Sequence, residues 1–585
     1  MKDRDTPAFS RTEILSTGLT VSLLVSGLAL TATARADDDG GGLRPDHLLV
    51  SRTVYDANPS SIVAGVTQLP PNCVAPNCVT ANAGAAYPTV FNNDLVDASF
   101  GVTSKIFLDQ LTRRGELVSS LEVPSSAQHH IGPSSDQMVT SFSSKSELAL
   151  NLSTDGQFVS FMGYLAPAGA IDVSNSNTPF VIDPTDPVPG QNYRLVAQVD
   201  ARGRFHFTKT NAYSGNNGRA AIINVSNGAS FAYTAGNAGN GADPQPNGII
   251  VGAGAQILTP QDKPLAAQPD PGLPTPVGSF NIVQIPANKK TDKIGKDTNF
   301  RGLTIFNNVV YLTKGSGGNG INTLYFIDTS GFDAQQRPLA CPNGTGVPSP
   351  LATLPTAPIS YSAANLQTKG VFPYNMCVLN GFPTALKSKT AFPFGVWFAN
   401  PTTVYVADEG NGSNTFAGGV FSDAAAQTTA GLQKWVFDPT SGAWKLAYVL
   451  SAGLDLGKPY TIPNYPTGNN AATGLPWSPA TDGLRNITGR VHRDGSVTIY
   501  AITSTVSGNG DQGADPNKLV AITDSLAAAT LPAGESFRTV RVARSGEVLR
   551  GVSFTPGSGQ GHRDDDDGDD RDHDDDGHGH DRDGR

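Results

Sequence analysis

Four arginines stand at the start of apolar runs: Arg219 before Ala-Ala-Ile-Ile, Arg301 before Gly-Leu-Thr-Ile, Arg485 before Asn-Ile-Thr and Arg550 before Gly-Val-Ser-Phe. Glu147 opens a fifth run, Leu-Ala-Leu-Asn-Leu. A guanidinium is a planar fork of donors that fits carboxylate, sulfate or phosphate. If these positions share one axis, four guanidiniums and one carboxylate meet in a mouth suited to an anionic small molecule or an anionic polysaccharide. Lys314 is expected on the same rim as a further cation. Trp477, with Tyr460 and Tyr465, offers flat rings that can stack on a sugar face. The competing roles are structural: the arginines tie neighbouring strands together through carbonyls or through Asp408, Glu409 and Asp482, and the aromatics pack loops.

Asp408 and Glu409 are the candidate catalytic pair. With calcium they could serve as metal ligands or base in ester or phosphoester hydrolysis, the arginines stabilising the developing negative charge. The chain has no Gly-x-Ser-x-Gly elbow, no His-Glu-x-x-His and no phosphate loop. Near the carboxyl end, Asp572, Asp574, Asp576 and Gly577 match most of a calcium-loop pattern, but it closes on Asp583 where such a loop has Glu. His573, His578 and His580 suit zinc or nickel. A third reading is therefore an envelope or matrix interaction protein whose tail binds cations. Calcium is the one cofactor these residues point to for the body.

Such residues need elements to position them. Between about residues 44 and 556, short runs rich in β-branched and aromatic residues recur, such as Phe158–Tyr164, Val309–Thr313, Val404–Ala407 and Val497–Ile502. The chain is expected to be all-β. The openings, with Phe394 included, follow at intervals of 72, 82, 93, 91 and 65 residues, each long enough for four antiparallel strands. Repetition of such units around an axis hides their edges and predicts a β-propeller. Five units lie between Glu147 and Arg550. A sixth forms if Gly551–Pro556 pairs with His47–Tyr55, Lys105–Gln110 and Glu116–Val123, closing the ring with both chain ends. Six blades are expected, with seven left open. In that ring the openings and the loops after each second strand share one face.

Phe107–Pro124, Glu147–Tyr164, Tyr193–Ala235, Gly431–Leu450 and Gly483–Pro556 resemble a family of secreted, mainly bacterial propeller-like proteins without established function. The resemblance implies fold and export and supplies no catalytic residue. Tyr405-Val-Ala-Asp-Glu-Gly-Asn411 is similar to blade motifs of NHL-type and esterase-like propellers.

Gly (64) and Pro (42) are abundant, and charged residues are only 16% of the chain, which argues against long charged helices. Residues 1–36 read as a signal peptide: Lys2, Arg4 and Arg11 precede an apolar stretch ending in Ala34-Arg35-Ala36. The propeller domain then spans 37–560, and 561–585 form an Asp/His-rich tail expected to stay disordered. That tail holds twelve Asp and four Arg, so −8 of the net −10 resides there and the body is near neutral. Nucleic acid is not an expected partner. The mature chain is expected to be a monomer, secreted or periplasmic, with no membrane attachment. Cys73 and Cys78, and Cys341 and Cys377, are expected to form two local disulfides, as suits an oxidising compartment.

Overall fold

The computed structural model describes residues 42–558, apart from 57–60, 83–85, 99, 183–185, 187, 189, 227–228, 238–253, 261–264, 268–274, 289–298, 316–319, 361, 363–364, 366–369, 387–390 and 511. The leader and the tail with its candidate metal ligands, Asp572, His573, Asp574, Asp576, His578 and His580, lie outside the described residues.

The β-branched and aromatic runs become strands, and the chain is a β-propeller. One blade runs Pro393–Asn400, Thr403–Asp408, Gly431–Asp438 and Ala443–Leu450, all antiparallel. The next runs Ala480–Val491, Ser496–Val506, Lys518–Ser525 and Arg538–Val542. Gly218–Ser226 and Leu303–Phe306 each begin a further separate sheet. Second strands such as Thr403–Asp408 are buried along their whole length, because neighbouring blades cover both faces. Outer strands such as Leu117–Glu122 are largely exposed. Between blades the filling is aromatic: Phe306 stacks on Phe398 at 4.7 Å and Phe382 on Trp435 at 4.0 Å. Each such ring contributes roughly 1.5–3 kcal/mol by leaving water.

The chain ends meet in a ten-stranded sheet. Leu48–Val54 pairs antiparallel with Glu547–Phe554 on one side and with Thr103–Leu111 on the other, and Leu117–Glu122 lies beyond. The last strand thereby completes a sheet begun by the first: Leu48–Val54 is paired on both sides, and Glu547–Phe554 is the innermost strand.

Near the axis the innermost strands approach closely, and the repeated glycine beside the opening residue is the reason they can. A Cβ at Gly302 would overlap the Phe394 carbonyl oxygen of the next blade, and one at Gly551 would overlap the Leu148 carbonyl. Glycine is the residue whose backbone tolerates such an approach. The arginine just before each of these glycines is thereby carried to the axis.

Both expected disulfides are present, Cys73–Cys78 and Cys341–Cys377, and fit an oxidising compartment. Among the described residues, no helix is long and apolar enough to cross a membrane.

Candidate functional site

Arg219 lies in the innermost strand Gly218–Ser226, Arg301 just ahead of Leu303–Phe306, Arg485 in Ala480–Val491 and Arg550 in Glu547–Phe554. Glu409 directly follows the second strand Thr403–Asp408. Two strand crossings return the chain to the face where a blade began, so Glu409 reaches the arginines of other blades. Its carboxylate lies 3.7 Å from Arg301 Nη1 and 3.4 Å from Arg485 Nε. Arg219 acts electrostatically on the same carboxylate, and Arg301 on Arg219. All four groups are 3–5% exposed.

The mouth is not open. The segment Ser144–Glu147 lies against the arginines: the Ser144 carbonyl accepts from Arg550 Nη1 and the Ser146 hydroxyl from Arg301 Nη1. Lys145 between them acts on Glu409, Arg301 and Arg485 complete its main electrostatic neighbours, and Asp482 follows. Sequence reasoning missed Lys145 and Ser146. The one available signal was their place immediately before the Glu147 opening.

Burial and the crowded charges shift these groups from their ordinary ranges. Burial alone would push Glu409 up, but Arg301, Lys145, Arg485 and Arg219 outweigh it and hold the carboxyl below its ordinary range. Arg219 is pushed down to about 9, first by burial and then by Arg301. Burial also lowers Lys145 and Arg485, with Glu409 opposing the fall in both. The Nε groups of Arg219 and Arg301 have no hydrogen-bond partner among the described residues. Arg485 Nε is engaged by the Glu409 carboxylate in an ion pair at 3.4 Å. A buried donor without a partner costs about 1–3 kcal/mol, more when charged. Converging guanidiniums with unused donors are a ready receptor for a small anion or an anionic group.

The other candidate residues are held elsewhere. Glu147 accepts from the Thr140 hydroxyl at 2.6 Å, from Ser141 N at 2.9 Å and from the Tyr164 hydroxyl, so its oxygens brace its own loop. Asp408 accepts from Phe392 N at 2.8 Å, Gly410 N at 3.0 Å and Gln433 Nε2 at 3.1 Å. Burial, reinforced by Glu409 and Asp482, pushes Asp408 up to about 7. It holds the strand end, while its neighbour Glu409 faces the cations. Lys314 is 1% exposed and donates to Asn322 Oδ1 at 3.3 Å. Trp477 is not a sugar-stacking surface ring: it is 7% exposed and packs edge-on against Tyr465 at 6.2 Å. Tyr465 donates to Asp515 Oδ1 at 2.9 Å and Tyr460 to the Pro516 carbonyl at 2.9 Å, so these three rings take the loop-packing role. Among the described residues no three His, Cys, Asp or Glu side chains are grouped as metal ligands.

Further along the innermost strands lies a cavity of about 700 Å³, lined by Thr304, Trp397, Phe398, Thr488 and Ser553 among others.

No family model matches the chain, and no curated protein matches it. Solved structures similar to it include the following three. A periplasmic gluconolactonase of Pseudomonas aeruginosa is 8% identical, with 87% of this chain and 99% of that chain covered and a TM-score of 0.29. An ulvan lyase from a polysaccharide lyase family is 9% identical over 88% of this chain and 97% of that chain, with a TM-score of 0.28. A Bombyx mori β-fructofuranosidase is 10% identical over 71% and 89%, with a TM-score of 0.18. Scores this low carry no argument about activity.

Proposed function

We propose that this chain is an exported β-propeller that binds an anionic ligand, a carboxylate- or sulfate-bearing saccharide or a comparable small anion, through its axial arginines. The supporting observation is the pair of unpartnered Nε groups on Arg219 and Arg301, 5% and 4% exposed, gathered with Arg485 about the carboxylate of Glu409. A bound anion would accept those donors. Ser144–Glu147 covers the cluster, so the reading requires that segment to admit the charged group of the ligand. The saccharide part of the reading rests on the axial cavity, where Trp397 stands beside Thr304 and Thr488.

Titration calorimetry with sulfate and with glucuronate tests this. Each charge-assisted hydrogen bond is worth about 1.5–3 kcal/mol, so Arg219→Met should weaken binding roughly ten- to a hundredfold. Unchanged affinity in that variant, with folding intact, would count against the site.

The propeller itself we read as six-bladed. The ten-stranded sheet divides into Glu547–Phe554, Leu48–Val54, Thr103–Leu111 and Leu117–Glu122, and Asn151–Leu152, Phe158–Ala166, Arg194–Asp200 and Phe205–Thr210. Gln137–Ser141 bridges these two groups. Contacts between successive innermost strands run from Asn151–Leu152 around to Glu547–Phe554 and back, which supports the count.

A further inference from the structure

A second cationic surface lies away from the axis. A groove of about 680 Å³ is lined by Arg113, Arg114, Arg490, His492 and Arg538, with Glu535 the one carboxylate at its edge. Arg113 and Arg114 come from the turn between Thr103–Leu111 and Leu117–Glu122, Arg490 from the end of Ala480–Val491, and Arg538 from the start of Arg538–Val542. The groove therefore joins the sheet made by the two chain ends to the blade before it. The charges of Arg113, Arg538 and Arg490 converge on Tyr500 at its floor. Arg113, Arg114 and Arg538 are exposed, whereas Arg490 is half-buried over the Phe554 ring at 4.7 Å.

The described chain leaves the propeller beside this groove. Ser558 Oγ accepts from Asp46 N at 2.8 Å, and the Asp46 carboxylate pairs with Arg490. The 27 residues beyond Ser558 contain twelve Asp and four Arg, and the first Asp block, Asp564–Asp567, follows a spacer of five residues, Gly559–Arg563. At roughly 3.3 Å per extended residue that spacer reaches about 17 Å. Tethering supplies a local concentration on the order of millimolar, so a weak charge contact is enough to seat the segment.

We propose that the Asp-rich carboxyl-terminal tail docks in this arginine groove, with Asp564–Asp567 facing Arg113, Arg114 and Arg538. The contact is electrostatic and exposed, so salt weakens it: the screening length falls from about 10 Å at 0.1 M to about 3 Å at 1 M. It is separate from the axial arginine cluster, although Arg490 and Phe554 line both the groove and the axial cavity.

The test uses the full chain carrying Gly568→Cys labelled with a fluorescent dye. At low salt the dye should show high anisotropy, falling to the value of the free labelled tail peptide at high salt. Arg113→Ser, Arg114→Ser and Arg538→Ser together should give the low value already at low salt, with the circular dichroism spectrum and melting curve unchanged. The reciprocal change, Asp564–Asp567 to Asn, leaves the propeller untouched and should do the same. Equal anisotropy in all these chains would overturn the proposal, as would salt release that the arginine variant leaves unaltered, which places the tail elsewhere.

Discussion

Glu409→Gln removes one charge and preserves shape, at the point where Arg301 stands 3.7 Å and Arg485 3.4 Å away. At an effective dielectric of about 20, each of those attractions is roughly 4–5 kcal/mol before solvation is counted. The variant escapes the several kcal/mol needed to desolvate a carboxylate, which lowers the loss. It also leaves Arg219, Arg301, Arg485 and Lys145 without the negative charge they share, which raises it. The net loss should fall near the lower end of the range for breaking a buried ion pair, about 3 kcal/mol. Urea unfolding measures it as a lower midpoint with an unchanged slope. Millimolar sulfate should restore much of the loss, because an anion can occupy the vacated charge position. Arg301→Met and Glu409→Gln combined should cost less than their sum by about 1–3 kcal/mol. A loss below about 0.5 kcal/mol, or strict additivity of the two changes, would refute the shared-charge reasoning.

Three further outcomes follow from the geometry. Gly302→Ala forces a methyl group into the Phe394 carbonyl of the next blade, and the variant should fail to fold or lose more than about 3 kcal/mol, read from soluble yield and urea midpoint. Removing the Cys341–Cys377 link, which closes 36 residues, should cost roughly 4 kcal/mol, against about 2 kcal/mol for the 5-residue Cys73–Cys78 link; equal losses in the two serine double variants would contradict this. Burial, with help from neighbouring carboxylates, raises Asp408 to about 7 and Asp482 to about 6, so the folded chain keeps protons that the unfolded chain has already released near pH 4. Their contribution is therefore fully present below pH 4 and lost as pH rises toward 7. Glu409 works oppositely, but its loss comes below its ordinary range, outside this window. Urea midpoints measured from pH 5 to 7.5 should fall with rising pH, and a rise would contradict the assignment.

The strands were legible because their signal is local. Thr403–Asp408 and Ser496–Val506 announce themselves through β-branched and aromatic composition, and ring closure followed from a last strand that lacked sequence partners of its own. The arginine openings were legible for the same reason, since each directly precedes an apolar run. Ser144–Glu147 was not, because no periodicity marks a segment that crosses the axis, and its partners are Arg301 and Arg550, 155 and 406 residues away. Trp477 misled because its segment is Pro-rich and polar, whereas its burial comes from Tyr465, Ile462 and Tyr87 folding around it. Composition identifies surfaces; long-range register decides which of them meet.

Crystals soaked in selenate offer the most direct view of the axial site, because the anomalous signal of selenium locates the oxyanion without ambiguity. A peak whose oxygens lie within about 3 Å of the Nε groups of Arg219 and Arg301 is the predicted result. A map that is featureless at those two side chains, with selenate bound at surface sites of the same crystal, would contradict it.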